Sequence, residues 1–354
     1  MTPSPQFWRG KRVFLTGHTG FKGAWLTAWL HRLGAVVRGY ALPPDTTPNL
    51  FDAAGIAARC DSIFGDIRQA ADLAVAIDVF QPDIVLHLAA QALVQRSYQK
   101  PVATYETNVM GTIHLLEAVR QTPSVRAAVV VTTDKCYENR EWIWAYREDE
   151  ALGGHDPYSS SKACAEIVVS AWRRSFLQSD GAALASARAG NVIGGGDWAE
   201  NRLIPDCIRA VASGAPILIR NPHATRPWQH VLEPLAGYLI LAERLCTDGD
   251  AAAEAWNFGP AADDVEPVHF LADRVTALWG DDARWTSGGG EAGHEAGLLA
   301  VDAAKARARL GWRPKLRLPE TLEWTVNWYK RHHTGTPADM LVTADIERYE
   351  AIQS

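Results

Sequence analysis

The chain has 354 residues, enough for two domains of about 150 residues or one large one. Lys and Arg total 35 against 41 Asp and Glu, a formal charge of −6, which excludes a chain built to neutralise nucleic-acid phosphates. A hydrophobic share of 47% with 21% charged residues excludes a disordered chain, and five scattered cysteines without a CxxC pair exclude a disulfide framework or a structural zinc site.

The N-terminus lacks the basic stretch and apolar run of a secretory signal, and no run of about 18 apolar residues reads as a membrane span. The expectation is a soluble cytoplasmic protein. In chain order, Arg12 to Thr16 reads as a buried strand and Lys22 to Leu33 as a helix. Val36 to Tyr40 is a second strand. Ser62 to Gly65 is a short third, followed by a helix from Arg68 to Phe80. Ile84 to Leu88 is a fourth strand, followed by a helix from Thr104 to Arg120. Ala127 to Thr132 is a fifth strand, Tyr158 to Leu177 a long helix, and Ala183 to Ala187 a sixth strand. Apolar, β-branched runs alternating with helices predict a doubly wound parallel sheet of the Rossmann type with right-handed crossovers.

Beyond Arg188 the rhythm breaks. Gly194, Gly195 and Gly196 cluster, and prolines recur. Helices are expected at Leu203 to Ala212, Pro234 to Leu245, Val268 to Trp279, Pro319 to Arg331 and Ala344 to Ile352. Ser287 to Gly297 reads as a flexible loop. The division expected is a dinucleotide-binding domain over 1–188 and a smaller substrate domain over 189–354, some of whose strands return to the main sheet.

Gly17-His18-Thr19-Gly20-Phe21-Lys22-Gly23 follows the first strand and opens the first helix. A plain strand-to-helix turn needs one glycine. Three at this spacing let the backbone approach a diphosphate and present a helix N-terminus to it. The acid that such sites place at the end of the second strand is missing: the run is Val37-Arg38-Gly39-Tyr40-Ala41. Arg38 suits either a 2′-phosphate or the surface, so the loop leaves NAD and NADP both open. Asp66 suits either the adenine end of a dinucleotide or a helix N-cap.

Tyr158 and Lys162 form YxxxK, one turn apart on one helical face. A nearby ammonium and a cationic nicotinamide would lower the pKa of the phenol from about 10, so that Tyr158 takes a proton from a sugar hydroxyl as hydride departs. Thr133 ends the fifth strand, where ligands of such sheets bind, and its hydroxyl suits the same substrate oxygen.

Glycine loop, strand-end threonine and YxxxK in this order resemble the extended short-chain dehydrogenase/reductase superfamily. The strings GHTGFKG (17–23), HLAAQALVQRSY (87–98), TTDKCYENREW (132–142), DPYSSSKACAE (156–166), ARAGNVIGGGDW (187–198) and RPWQHVLEPL (226–235) are similar to the CDP-glucose 4,6-dehydratase family within it. The resemblance implies CDP-glucose as substrate, NAD as cofactor and a product on the way to deoxysugars of surface polysaccharide such as O-antigen. It implies oxidation at C4, elimination of water across C5 and C6, and hydride return to C6. Asp134 is then the acid for the C6 hydroxyl. Lys135 stands where dTDP-glucose dehydratases carry a glutamate, and acts either as the C5 base or as a stabiliser of the enolate. Cofactor contacts are implied for Gly17, His18, Thr19, Gly20, Phe21, Gly23, Asp66, Ile67, Leu88, Ala89, Ala90 and Asn108, beside Tyr158 and Lys162. Sugar-nucleotide contacts are implied for Asn191, Arg202, Arg226 and Asn257. The superfamily's pairing of two long helices implies a homodimer.

Two other readings share the fold. A nucleotide-sugar 4-epimerase needs Tyr158, Lys162 and cofactor but no acid/base pair, and a non-catalytic sensor needs none of the three hydroxyl and amine groups. A 4,6-dehydratase for another nucleotide sugar keeps the mechanism and changes the base. No histidine spacing points to a metal.

Overall fold

The computed structural model of the chain describes residues 1–177, 181–261, 264–280, 282–288 and 298–353. Seven parallel strands form one sheet: β1 (Arg12–Thr16), β2 (Val36–Ala41), β3 (Asp61–Phe64), β4 (Ile84–His87), β5 (Ala127–Val131), β6 (Ala183–Ala189) and β7 (Ala255–Phe258). Their spatial order is β7-β6-β5-β4-β1-β2-β3. The chain leaves β1 toward β2 and β3, then returns to β4 on the other side. Ligands of doubly wound sheets bind at such a switch point, beyond the strand C-termini.

The sequence reason for the buried sheet lies in strands apolar on both faces. Val13 and Leu15, Ile84 and Leu86, and Ala127, Val129 and Val131 point into one core. The alternate residues Phe14, Val85, Ala128 and Val130 point into the other. Helices α1 (Phe21–Arg32), α2 (Ala70–Phe80), α3 (Gly111–Gln121) and α4 (Pro157–Ser175) connect the strands. Beyond β6 come α5 (Leu203–Ala212), α6 (Leu232–Asp248), α7 (Val268–Trp279), α8 (Leu318–His333) and α9 (Ala338–Ala351). Among the described residues no helix is long and apolar enough to cross a membrane.

Several expected boundaries shift for local reasons. α2 starts two residues late, because Asp66 accepts the Arg68 N–H at 2.9 Å and closes a turn ahead of it. The helix expected over 104–120 comes as Pro101–Tyr105, a π-helical turn at Glu106–Met110, and α3. There the Thr112 hydroxyl donates to the Asn108 carbonyl at 2.7 Å, and Asn108 turns inward. α9 starts six residues earlier than expected and packs its Tyr349 hydroxyl on Glu233 of α6 at 2.7 Å. The same carboxylate accepts the N–H groups of Lys315 and Leu316, which ties the C-terminal helices to the core. The short strand β7, from the irregular half, pairs with β6 as Ala255↔Ser186 through Phe258↔Ala189. Ser287 ends a short strand, Trp285–Ser287, which pairs with Ile217–Ile219. The rest of the expected flexible loop, 289–297, lies outside the described residues.

Candidate active site

A cleft of about 1310 Å³ opens over the C-terminal ends of the strands. Its cofactor side begins at the glycine loop. Gly17 has φ +80°, and a Cβ there would stand 2.7 Å from the Ala89 nitrogen. A Cβ on Gly23 would stand 2.0 Å from the Gly17 carbonyl oxygen, so α1 packs onto its own loop. Gly20 caps α1 with no side-chain acceptor, which leaves the first turn and its positive dipole end for an anion. The Thr16 hydroxyl accepts the N–H groups of Leu88 and Ala89, both at 3.1 Å, and pins the loop after β4 against β1. These groups fit a dinucleotide: Gly20, whose Cβ would meet nothing nearer than 3.5 Å, a helix N-terminus with no side-chain cap, and flanking backbone held close.

The reacting side is built on the end of β5 and the start of α4. Thr133 caps a single 3₁₀ turn, Asp134–Cys136, and donates to the Asp134 carboxylate at 3.0 Å. The other oxygen of Asp134, Oδ2, is buried and has no hydrogen-bond partner. Asp156 caps α4, accepting the Ser159 N–H at 2.9 Å, with Pro157 at the first helical position. That start orients Tyr158 and Lys162. The Tyr158 phenol meets the Thr133 hydroxyl, and Lys162 Nζ donates to the Val131 carbonyl at 3.2 Å. Burial pushes the phenol up to about 12, against the lowering expected from the lysine, and only partly offset by the Thr133 hydrogen bond. Burial likewise pushes the Lys162 amine down to about 8.

Most of the sequence-derived site lines this one cleft. Gly17, Thr19, Gly20, Phe21 and Gly23 form one wall, with Asp66, Ile67, Leu88, Ala89 and Ala90 beside them. Thr133, Asp134, Lys135, Tyr158 and Lys162 form the floor. Asn191, Arg202 and Arg226 face them from the C-terminal half. Arg202 pairs with Asp197 at 2.9 Å, and that carboxylate holds the guanidinium further toward its charged form.

Three sequence readings are corrected, those of His18, Asn108 and Asn257, and two left open, those of Arg38 and Asp66, are resolved. His18 faces away from the cleft: its Nε2 meets Ser62 Oγ at 2.7 Å, its ring lies against Gly39, and burial lowers it to about 4. Asn108 holds Gln91 through both backbone groups, at 2.8 and 3.0 Å, and donates to Ser161 Oγ at 2.9 Å; it braces the wall from behind. Asn257 is fully buried and spends its amide on the Tyr137 hydroxyl and the carbonyls of Tyr146 and Asp302. Arg38 turns to Asp61 at 2.7 Å and stacks over Phe80, so it offers nothing to a 2′-phosphate. Asp66 lines the cleft and binds the Arg68 guanidinium, at 2.9 Å to Nε, rather than capping α2.

Two residues were missed. Lys22 sits in the first turn of α1, where the helix dipole opposes a cation, with Tyr238 Oη at 3.4 Å. Burial, then Arg202 and Lys162, push its amine down to about 7. A lysine placed against the dipole was the available signal. The other is Glu166, one turn past Lys162, buried and paired to Arg188 at 2.7 Å. Its spacing of four from Lys162 was legible.

A doubly wound sheet with this glycine loop and this threonine, tyrosine and lysine floor defines the extended short-chain dehydrogenase/reductase class. The chain belongs to the NAD dependent epimerase/dehydratase family, matched across residues 13–259. It is 52% identical over 346 residues to the CDP-glucose 4,6-dehydratase of Salmonella typhimurium, covering 96% of both chains. It is 27% identical to the dTDP-glucose 4,6-dehydratase of the same species, covering 90% of this chain and 92% of that one. The solved dTDP-glucose 4,6-dehydratase of Bacillus anthracis, in complex with NAD, superposes with a TM-score of 0.75 at 22% identity, covering 91% of this chain and 97% of that one, which shows the shared fold.

Proposed function

We propose that this chain converts CDP-glucose to CDP-4-keto-6-deoxyglucose, a lyase reaction with no net redox change. The observation that carries it is the 52% identity to a CDP-glucose 4,6-dehydratase over nearly the whole of both chains. The cleft supports the reading by bringing Asp134 and Lys135 beside Thr133 and Tyr158, where an epimerase needs no such pair. NAD, held along the glycine loop, supplies a hydride acceptor for C4 and a hydride donor for C6. Thr133 and Tyr158 hold the 4-hydroxyl, and Tyr158 takes its proton. The 4-keto group then acidifies C5. Lys135 takes the C5 proton and returns one to C5 as the hydride reaches C6, while Asp134 protonates the C6 hydroxyl, which leaves as water. Asn191, Arg202 and Arg226 of the 189–354 half hold the diphosphate, while the 1–188 half holds the cofactor. A cytoplasmic homodimer, feeding deoxysugar synthesis for surface polysaccharide, belongs to the same reading. The exposed Met110 before α3 and Ile167 on α4 support the dimer, as apolar side chains on the two helices that would pair.

Mass spectrometry of products tests it, with purified protein, NAD and CDP-, dTDP-, UDP- or GDP-sugars in separate reactions. Loss of one water from CDP-glucose alone is the expected result. Water loss from another sugar nucleotide overturns the base assignment. An isomer without mass change overturns the dehydratase reading in favour of the epimerase.

A further inference from the structure

Tyr158, Lys162 and Glu166 stand four residues apart, on one face of α4. Each is tied to one of three successive residues at the end of β5. The Tyr158 phenol meets the Thr133 hydroxyl, Lys162 donates to the Val131 carbonyl at 3.2 Å, and Glu166 Oε1 accepts from the Thr132 hydroxyl. Glu166 Oε2 accepts from Ser186 Oγ and Arg188 Nη2 on β6, both at 2.7 Å. Arg188 in turn donates to the Tyr137 hydroxyl at 2.8 Å and the Glu148 carbonyl at 3.0 Å, and its guanidinium lies over the Tyr137 ring. Two strands and the helix that carries the base therefore meet at one buried carboxylate.

We propose that Glu166 is a positioning residue of the reaction: it locks α4 onto the end of β5, and it supplies the anion that keeps Lys162 an ammonium. The inference rests on the reading of Tyr158 and Lys162 given above. A buried ion pair is a poor way to stabilise a fold, since well-packed apolar side chains serve as well. Its place one turn from the lysine gives it another use. Among the described residues no carboxylate lies within ion-pair distance of Lys162. The charged and titratable groups that face it are Lys22 from α1, His87 from β4, Cys136 from the turn after β5, and Tyr158 and Glu166 from its own helix. Lys22 opposes the ammonium, burial keeps His87 neutral, and the Cys136 thiol is held up by burial, so it too is uncharged. Glu166 is left as the standing negative charge. Burial works to raise its own carboxyl, but Arg188 and the hydrogen bonds hold it below the usual carboxylate range.

The test compares Glu166→Gln with Thr132→Val, which removes one hydrogen bond of the lock and no charge. In Glu166→Gln, kcat for water loss falls about tenfold while KM for CDP-glucose stays within about threefold. The alkaline limb of the kcat–pH profile moves down by about one unit, because the lysine loses its proton earlier. In Thr132→Val kcat falls and the limb stays. A readout independent of turnover is the Lys162 amine itself, titrated by NMR in lysine-labelled protein without cofactor and assigned with Lys162→Arg. Its midpoint, about 8 in the parent, falls in Glu166→Gln. A limb and an amine midpoint that match the parent overturn the proposal and leave Glu166 a structural residue. Should Arg188, left unpaired, keep Glu166→Gln from folding, the double variant Glu166→Gln/Arg188→Met removes both charges and is read the same way. Turnover surviving in Tyr158→Phe overturns the reading of the base instead, and leaves the amine titration to decide the role of Glu166.

Discussion

Two glycines of the same loop should respond to the same substitution in opposite ways. In Gly23→Ala the new Cβ would stand 2.0 Å from the Gly17 carbonyl oxygen, about 1.4 Å short of ordinary contact. α1 cannot back away, because Trp25 and Trp29 on it are fully buried. Overpacking of this kind costs about 3 kcal/mol, or roughly 4 °C in Tm for a chain of this size. In Gly20→Ala the nearest atom is the Gly17 oxygen at 3.5 Å, and the backbone, at φ −79° and ψ 169°, suits any residue. Stability then changes by less than about 1 kcal/mol, because alanine's poorer fit at an N-cap opposes the gain from a less flexible unfolded chain. Yet the methyl projects where a diphosphate must approach the backbone, so NADH binding weakens about tenfold or more. Thermal melts and NADH fluorescence titrations on both variants separate the effects. Gly20→Ala with parental NADH affinity would show that no ligand approaches that backbone. Gly23→Ala with parental Tm would show that the helix shifts freely, and would refute the packing argument.

Lys135→Ala should stall after oxidation, with NADH absorbance building during turnover; rapid dehydration without that signal makes Lys135 a bystander. Asn257→Leu strands the Tyr137 hydroxyl and two carbonyls in the core, so Tm should drop by the equivalent of about 2–4 kcal/mol while KM for CDP-glucose in the folded fraction stays put; a large KM rise at parental Tm would restore it to the substrate site. Lys22→Met should raise Tm, and by more at pH 6 than at pH 9. The amine sits at about 7 in the fold against 10.5 in the unfolded chain, so the penalty of holding it is complete below pH 7 and shrinks as pH rises toward 10.5. Equal gains at both pH values would remove the burial argument.

The sheet and the floor of the site were legible because both rest on short-range regularities. Runs such as AAVVV leave a strand no polar face, and a spacing of four on a helix fixes Tyr158 and Lys162 to one side. What escaped depends on where a side chain turns after its backbone is placed. His18 lies inside the glycine motif, yet Gly39 across the sheet gives its ring a slot to fill behind the wall. Asn257 sits in a strand beside β6, and only the fold shows that the Tyr137 hydroxyl and two carbonyls of distant segments consume its amide. β7 has four residues, too few to show a period, and its pairing partner lies about seventy residues earlier.

That late strand bears on how the protein is made. β6 would be an open edge in any nascent chain that ends before residue 255, with the apolar face beneath it still waiting for α6, α8 and α9. The first half therefore emerges from the ribosome as a sheet with an unpaired, sticky border, and cannot finish until translation is nearly over. Fragments cut near residue 188, however well they match a dinucleotide-binding unit on paper, should aggregate when expressed alone. Adding the remainder as a separate polypeptide should rescue them.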